Sequence, residues 1–180
     1  DSLIGGADDD ILVATLGDTL DGGDGVDRAD LSAATSAMTV DIANSYFASG
    51  GAFGLIFGVE QLRLGPGADV IIGGAGLRSV DLGPGNDWIA DYSTGNNDVF
   101  AGGDGDDALY GRAGDDRLLG VAGADILIGG TGNDTMDGGA GLRDRVSYWE
   151  AAAGVSVNLQ TGAASGEGAD VLSNIEEAEG

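Results

Sequence analysis

GGDGDDALY GRAGDDRLL GVAGADILI GGTGNDTMD, residues 102–137, is a run of four consecutive nine-residue units. Position 4 of each unit is Gly, position 6 is Asp and position 8 is a large apolar residue. Glycine adopts the positive φ angles of tight turns, and positions 7 to 9 place one apolar side chain at the centre of a short strand. Such a strand buries too little surface to fold alone, so the period predicts a stacked solenoid.

The position-6 carboxylates predict a bound cation. Neighbouring strands lie about 4.7–4.9 Å apart, so stacking brings these carboxylates together in a row. The formal net charge of −24 would make a bare row repel itself. Calcium neutralises such a row with about six to eight oxygen ligands, whereas magnesium prefers to keep its waters. Zinc is not expected, because the chain has 0 His and 0 Cys.

The pattern resembles the calcium-binding nonapeptide repeat of the RTX (repeats-in-toxin) family, also called the hemolysin-type calcium-binding repeat. This resemblance implies an all-β parallel β-roll, in which successive units alternate between two sheets. It also implies that each calcium ion lies between one unit and the second unit after it. The ligands would be position-6 carboxylates and the backbone carbonyls of positions 1 to 4. In the central array the expected carbonyl ligands are those of Gly103, Gly105, Gly111, Ala113, Gly120, Ala122, Gly130 and Gly132.

Further units lie upstream of the central array. Residues 64–90 contain three units in the same register, and a longer unit follows at residues 91–101. The two-unit step of a β-roll sorts the position-6 residues into two rows. Row 1 is expected to contain Asp69, Asp87, Asp107, Asp125 and Asp144. Row 2 is expected to contain Arg78, Asp98, Asp116 and Asp134.

Arg78 interrupts row 2, because a guanidinium cannot ligate a cation. We predict that it replaces one calcium ion by pairing with Asp98, as Arg does readily with carboxylates. The alternative is that Arg78 extends into solvent, since exposed ion pairs contribute little to stability.

The first thirty residues contain a degraded form of the same repeat. GGADDDILV at residues 5–13 lacks the position-4 Gly, ATLGDTLD is one residue short, and GGDGVDRAD at residues 22–30 has a small Ala at position 8. The expected calcium ligands in this part are Asp10, Asp18 and Asp27.

Two similar segments do not follow the repeat. Residues 39–42 (TVDI) align with residues 156–159 (SVNL), and residues 59–61 (VEQ) align with residues 175–177 (IEE). Their alternating apolar residues predict β-hairpin-like extensions of the roll, and a short helix is possible at residues 149–153. We therefore expect degraded repeats with a β insert at 1–63, the main calcium-binding roll at 64–145, and a β linker at 146–180 that leads to a further array.

Composition excludes several functions. A Ser-His-Asp triad is impossible without His. Glycoside hydrolysis needs only two carboxylates and stays open, but most Asp residues already have a repeat role, so we expect no enzyme activity in this chain. With 31 acidic and 7 basic residues, nucleic acid is excluded as a partner. Anionic membrane surfaces are disfavoured, and no apolar run is long enough to span a membrane.

Three aromatic residues have assignable positions in the repeat. Trp88 and Tyr110 fall at positions 7 and 9, which point outward and suit contact with an extracellular sugar or protein ligand. Phe100 falls at a core position.

The RTX resemblance implies an extracellular protein that Gram-negative bacteria secrete by the type I pathway. Low cytosolic calcium would leave the acidic chain unfolded, and high external calcium would fold it. Because the sequence begins at Asp1, we expect a module of a longer protein. That protein could be an exported enzyme (for example one that modifies polysaccharides), an adhesin with the roll as a binding platform, or a pore-forming toxin.

Overall fold

The computed structural model describes residues 1–93 and 95–180, and its strands form two sheets. Sheet A contains, in chain order, β1 (Ser2–Ala7), β3 (Thr19–Asp24), β5 (Met38–Asp41), β6 (Tyr46–Ser49), β7 (Ala52–Phe57), β9 (Val70–Ile72), β11 (Trp88–Ala90), β13 (Ala108–Ala113), β15 (Ile126–Thr131), β17 (Arg145–Ser147) and β21 (Glu177–Glu179). Sheet B contains β2 (Ile11–Val13), β4 (Arg28–Asp30), β8 (Gln61–Arg63), β10 (Ser79–Asp81), β12 (Val99–Asp104), β14 (Arg117–Ala122), β16 (Thr135–Ala140), β18 (Ser156–Asn158), β19 (Ala163–Ser165) and β20 (Ala169–Ser173).

The repeat units alternate between the two sheets, as the two-unit step predicts. β13 pairs in parallel with β15, so Leu109 lies beside Leu127. β14 pairs in parallel with β16, so Leu118 lies beside Met136. The all-β parallel β-roll expected from the sequence is therefore confirmed.

The core is a thin apolar layer between the sheets, made by the position-8 side chains. Phe100 is fully buried, as predicted, and so are all four position-8 residues of the central array. Each unit contributes one such side chain, and only stacking gives it neighbours on both sides.

The two irregular segments form strands of the sheets themselves. In the first segment, β7 pairs in parallel with β3, and β6 and β5 follow as antiparallel neighbours. β5 then pairs in parallel with β9, where the regular units resume. In the second segment, β20 pairs in parallel with β16, and β19 and β18 continue as an antiparallel meander. The predicted hairpins thus widen both sheets.

The helix considered for residues 149–153 does not form. These residues make a turn in which the N–H of Ala151 donates to the carbonyl of Tyr148 at 2.9 Å. In the part of the chain that the structure describes, no helix is long and apolar enough to cross a membrane.

Candidate metal centre

The turn before each regular strand ends in the position-6 residue, which places the acidic side chains in two buried rows. In row 1 the N–H of each Asp donates to the Oδ1 of the next Asp. These bonds join Asp69 to Asp87 (2.7 Å), Asp87 to Asp107 (2.8 Å), Asp107 to Asp125 (2.9 Å) and Asp125 to Asp144 (2.9 Å). The predicted order of row 1 is therefore confirmed.

Row 2 has the same geometry and is longer than predicted. The N–H of Asp98 donates to Asp116 (2.8 Å), and the N–H of Asp116 donates to Asp134 (2.9 Å). The N–H of Asp134 continues the pattern to Asp170 (3.1 Å). Sequence analysis missed Asp170, although Gly168, Asp170 and Leu172 have the spacing of positions 4, 6 and 8.

Two glutamates also take the place of a position-6 Asp. The N–H of Asp27 donates to Glu60 Oε2 (2.9 Å), and the N–H of Asp144 donates to Glu176 Oε2 (3.0 Å). The N–H of Asp10 donates in turn to Asp27 (2.8 Å), which brings the units of Asp10 and Asp27 into row 2. Each Glu directly precedes a strand, and that placement was the signal in the sequence.

The second carboxylate oxygens are the strongest indication that the rows bind a ligand. Within the described residues, the Oδ2 atoms of ten row members are buried and have no hydrogen-bond donor: Asp10, Asp27, Asp69, Asp87, Asp98, Asp107, Asp116, Asp125, Asp134 and Asp144. A buried acceptor without a partner destabilises a protein by about 1–3 kcal/mol, and more when it is charged. Ten such oxygens along two rows therefore indicate that the rows bind a ligand through oxygen.

The position-1 glycines leave the space that such a ligand needs. A Cβ built on Gly102 would collide with Asp107 Oδ2 and would lie 2.9 Å from the carbonyl oxygen of Gly120. A Cβ on Gly111 would likewise meet Asp116 Oδ2 and the carbonyl oxygen of Gly129. A carboxylate oxygen and a carbonyl oxygen therefore converge beside each of these glycines.

The backbone carbonyls that the sequence predicts as calcium ligands lie on these turns. The Gly120 carbonyl lies beside the Asp107 carboxylate, and the Ala122 carbonyl already accepts a hydrogen bond from the N–H of Gly105 at 2.7 Å. The Gly129 carbonyl was not predicted. Of the other predicted carbonyl ligands, Gly111 and Ala113 occupy positions 1 and 3 of their turn, as Gly120 and Ala122 do. The rest occupy positions 2 and 4: Gly103, Gly105, Gly130 and Gly132.

Without a cation, the rows cannot stay fully ionised at neutral pH. Burial raises the pKa of Asp107 and Asp134 to about 7. It raises the pKa of Asp87, Asp116 and Asp125 to about 6. A nearby positive charge favours the ionised form of a carboxylate, so a bound cation would reverse these shifts.

Asp18 differs from the ten carboxylates with an unpartnered Oδ2. Its Oδ2 accepts hydrogen bonds from the N–H (2.8 Å) and the hydroxyl (2.9 Å) of Thr15. Asp170 is similar, because its Oδ2 accepts the Tyr148 hydroxyl at 2.9 Å. Protein donors therefore already occupy these two carboxylates.

Arg78 does not form the predicted pair with Asp98. Its side chain is exposed, and no ion pair joins it to any acidic group in the described ranges 1–93 and 95–180. Arg78 instead extends into solvent, which was the alternative considered from the sequence. Both Asp98 oxygens remain without a donor.

The donor set fits a hard divalent cation. Carboxylate and carbonyl oxygens are the ligands that calcium prefers. Among the described residues, no group of three acidic side chains is gathered closely enough to hold a metal ion by itself. The turn carbonyls must therefore complete any coordination shell.

Trp88 and Tyr110 lie outside the core, on the outer face of sheet A, as predicted. Their ring centroids are 5.7 Å apart. The Arg112 guanidinium lies over Tyr110 and over Tyr92, 5.8 and 5.0 Å from the ring centroids. Glu150 holds Arg112 through two hydrogen bonds of 2.8 Å. The three rings and the Arg112–Glu150 pair are called the aromatic cluster below.

The comparisons with known proteins agree with this geometry. A sequence model of the RTX calcium-binding nonapeptide repeat matches the chain in 4 copies, at residues 1–18, 57–89, 92–127 and 113–141. These matches together cover more than half of the chain. A comparison with curated protein sequences found no match.

Proposed function

From the premise that the chain belongs to the RTX calcium-binding nonapeptide repeat family and is a calcium-binding β-roll module, we propose that calcium drives its folding outside the cell. The observation that carries this proposal is the set of ten buried carboxylate oxygens without donors along the two rows. Each is a ligand position that the folded chain cannot satisfy from its own groups.

The proposed ligands follow from that observation. Side-chain ligands are the ten row carboxylates with an unpartnered Oδ2, and backbone ligands are the carbonyls of the glycine-rich turns. Asp18 is left out, because the N–H and the hydroxyl of Thr15 occupy its Oδ2. Calcium ions held by these ligands would supply positive charge between the stacked carboxylates.

The residues of the chain perform the remaining steps. The position-6 N–H groups fix each carboxylate through its Oδ1, which leaves Oδ2 directed at the space beside the position-1 glycine. The position-8 side chains then stack and exclude water from between the sheets. Ordering one turn fixes half of the next site, so binding is expected to be cooperative.

The net charge of −24 supports export as an unfolded chain. Self-repulsion opposes collapse while calcium is scarce, and calcium that binds only the folded state adds stability by mass action. The RTX repeat is structural rather than catalytic. We therefore place this chain in an extracellular protein secreted by the type I pathway, where it supports an activity carried elsewhere.

Far-ultraviolet circular dichroism tests the proposal directly. The chain should be disordered in chelator and should gain β-structure steeply as calcium rises, while magnesium at the same concentrations should have little effect. A chain that is already folded in chelator would contradict the proposal.

The aromatic cluster supports a second candidate function, a platform for an extracellular sugar or peptide. Tyr92 is 57 % exposed, and the Arg112–Glu150 pair fixes polar groups beside the rings. Chemical-shift changes of the Trp88 indole on titration with oligosaccharides would support this function. No change with any sugar or peptide tested would count against it.

A further inference from the structure

Row 2 is broken at one turn. Arg78 lies between Glu60 and Asp98, because its N–H donates to the Glu60 carbonyl (2.8 Å) and its own carbonyl accepts from the N–H of Val99 (2.9 Å). With no carboxylate at position 78, Asp98 is the first acidic member after the break. Asp98 is 1 % exposed, and neither of its side-chain oxygens has a donor.

Asp91 is a further buried acidic residue beside this break. It occupies position 1 of its unit, where the central units have Gly. The regular units at residues 64–72 and 82–90 have Leu at position 1, and no other unit from residue 64 to residue 137 has an acidic residue there. The Asp91 unit is also two residues longer than the regular nine. Asp91 is 1 % exposed. Ser93 donates a hydrogen bond to its Oδ2, and its Oδ1 is buried without a donor.

Asp91 Oδ1 lies where a position-6 carboxylate oxygen lies in the regular units, beside the position-1 glycine. Beside Gly111, the space that a Cβ would fill is bounded by Oδ2 of the position-6 residue of the same unit, Asp116. Beside Gly73, whose own position-6 residue is Arg78, the corresponding space is bounded by Asp91 Oδ1. Asp91 thus supplies a carboxylate oxygen where the Arg78 unit lacks one.

We infer that Asp91 replaces the missing position-6 carboxylate, and that Asp91 and Asp98 together hold a calcium ion at the turn where Arg78 breaks row 2. This inference rests on the proposed function. Turn carbonyls complete the shell, since two carboxylates are too few for calcium. Burial and the neighbouring charge of Asp91 raise the pKa of Asp98 to about 8. Facing carboxylates of this kind need a cation or a shared proton.

Counting bound calcium by equilibrium dialysis at saturating concentration tests the inference. Asp91→Ala should bind one ion fewer than the unmodified chain. Asp104→Ala is the matched control, because Asp104 is exposed and its carboxylate makes no hydrogen bond within the described residues, so it should bind the full number. The double variant Arg78→Asp/Asp91→Ala should regain the lost ion, since it restores a regular position-6 carboxylate.

Equal calcium counts for Asp91→Ala and Asp104→Ala would overturn the inference and would leave the proposed function intact. That result would mean that Asp91 and Asp98 share a proton instead. If the unmodified chain bound no calcium, both the inference and the proposed function would be wrong. Should Asp91→Ala not fold, the double variant decides, because recovery of folding with the full count supports the inference and failure to recover overturns it.

Discussion

Positions 1, 6 and 8 of the repeat have separate tasks at the scale of the residue. Position 6 supplies a carboxylate, position 1 leaves space beside it, and position 8 packs between the sheets. Gly120 shows why position 1 is Gly in the central array, because a Cβ there would meet both Asp125 Oδ2 and the carbonyl oxygen of Gly138.

We predict that Gly120→Ala weakens calcium binding, raising the calcium concentration at the folding midpoint roughly tenfold or more, as expected for a displaced ligand. The added methyl group would occupy the space assigned to the ion. Gly154→Ala is the control, because a Cβ there has no atom within 4 Å. Circular dichroism titrations of both variants measure the midpoints, and equal midpoints would contradict the assignment of that space.

Phe100→Ala should destabilise the calcium-loaded roll by about 3–5 kcal/mol, because the ring is fully buried in a thin core. The neighbouring Val99→Ala should change stability by no more than about 0.5 kcal/mol, since Val99 is 41 % exposed. Denaturant unfolding in excess calcium measures both values. A small loss for Phe100→Ala would mean that packing contributes little beside metal binding.

At the scale of the element, each of the two irregular segments returns one of the two rows to the regular repeat through a glutamate. In the regular array, most neighbouring Asp residues of a row are eighteen residues apart. At the irregular segments the separation is larger, and Glu60 and Glu176 accept the N–H hydrogen bond that an Asp accepts elsewhere. The longer Glu side chain reaches the row from a turn that does not follow the glycine pattern.

We expect Glu60→Ala to cost about 1–3 kcal/mol of stability in calcium, because the Asp27 N–H would lose its acceptor. Glu60→Gln keeps an acceptor oxygen and should cost much less. Thermal or denaturant unfolding separates the two variants. If Glu60→Gln were as unstable as Glu60→Ala, the negative charge of Glu60 would matter more than its hydrogen bond.

At the scale of the whole molecule, the stability of the roll depends on the charge state of the rows. The folded-state pKa values of Asp87, Asp107, Asp125 and Asp134 lie at about 6 to 7, above the ordinary value of 3.8. Without calcium, this contribution to stability is fully present below about pH 3.8 and is lost as the pH rises through 6 to 7.

The calcium-free chain should therefore contain more β-structure at pH 4.5 than at pH 8. In saturating calcium the dependence should reverse, since the ligands must be ionised. Circular dichroism measures the β-structure content at both pH values, in calcium-free buffer and in excess calcium. Identical calcium-free spectra at the two pH values would contradict the burial of the rows.

Much of the roll was predictable because its information is local. The fixed spacing of Gly105, Asp107 and Leu109 recurs in each unit of the central array. One unit therefore predicts where every other unit places its turn, its metal ligand and its core side chain. The sheet positions of β5 and β18 were not predictable, because antiparallel pairing depends on which distant edge is free. Asp91 was missed because its role depends on Arg78 in a neighbouring turn, and the sequence pattern of either unit alone does not show that relation.

The most direct test of the central claim is an anomalous-scattering map of crystals grown in calcium. The account predicts two lines of calcium peaks, each within about 2.3–2.6 Å of an Asp Oδ2 that has no donor in the structure. No peak should lie on the carboxylate of Asp18. Absence of peaks along Asp107 and Asp125, or peaks confined to exposed carboxylates such as Asp104, would contradict the claim that the buried rows are the calcium sites.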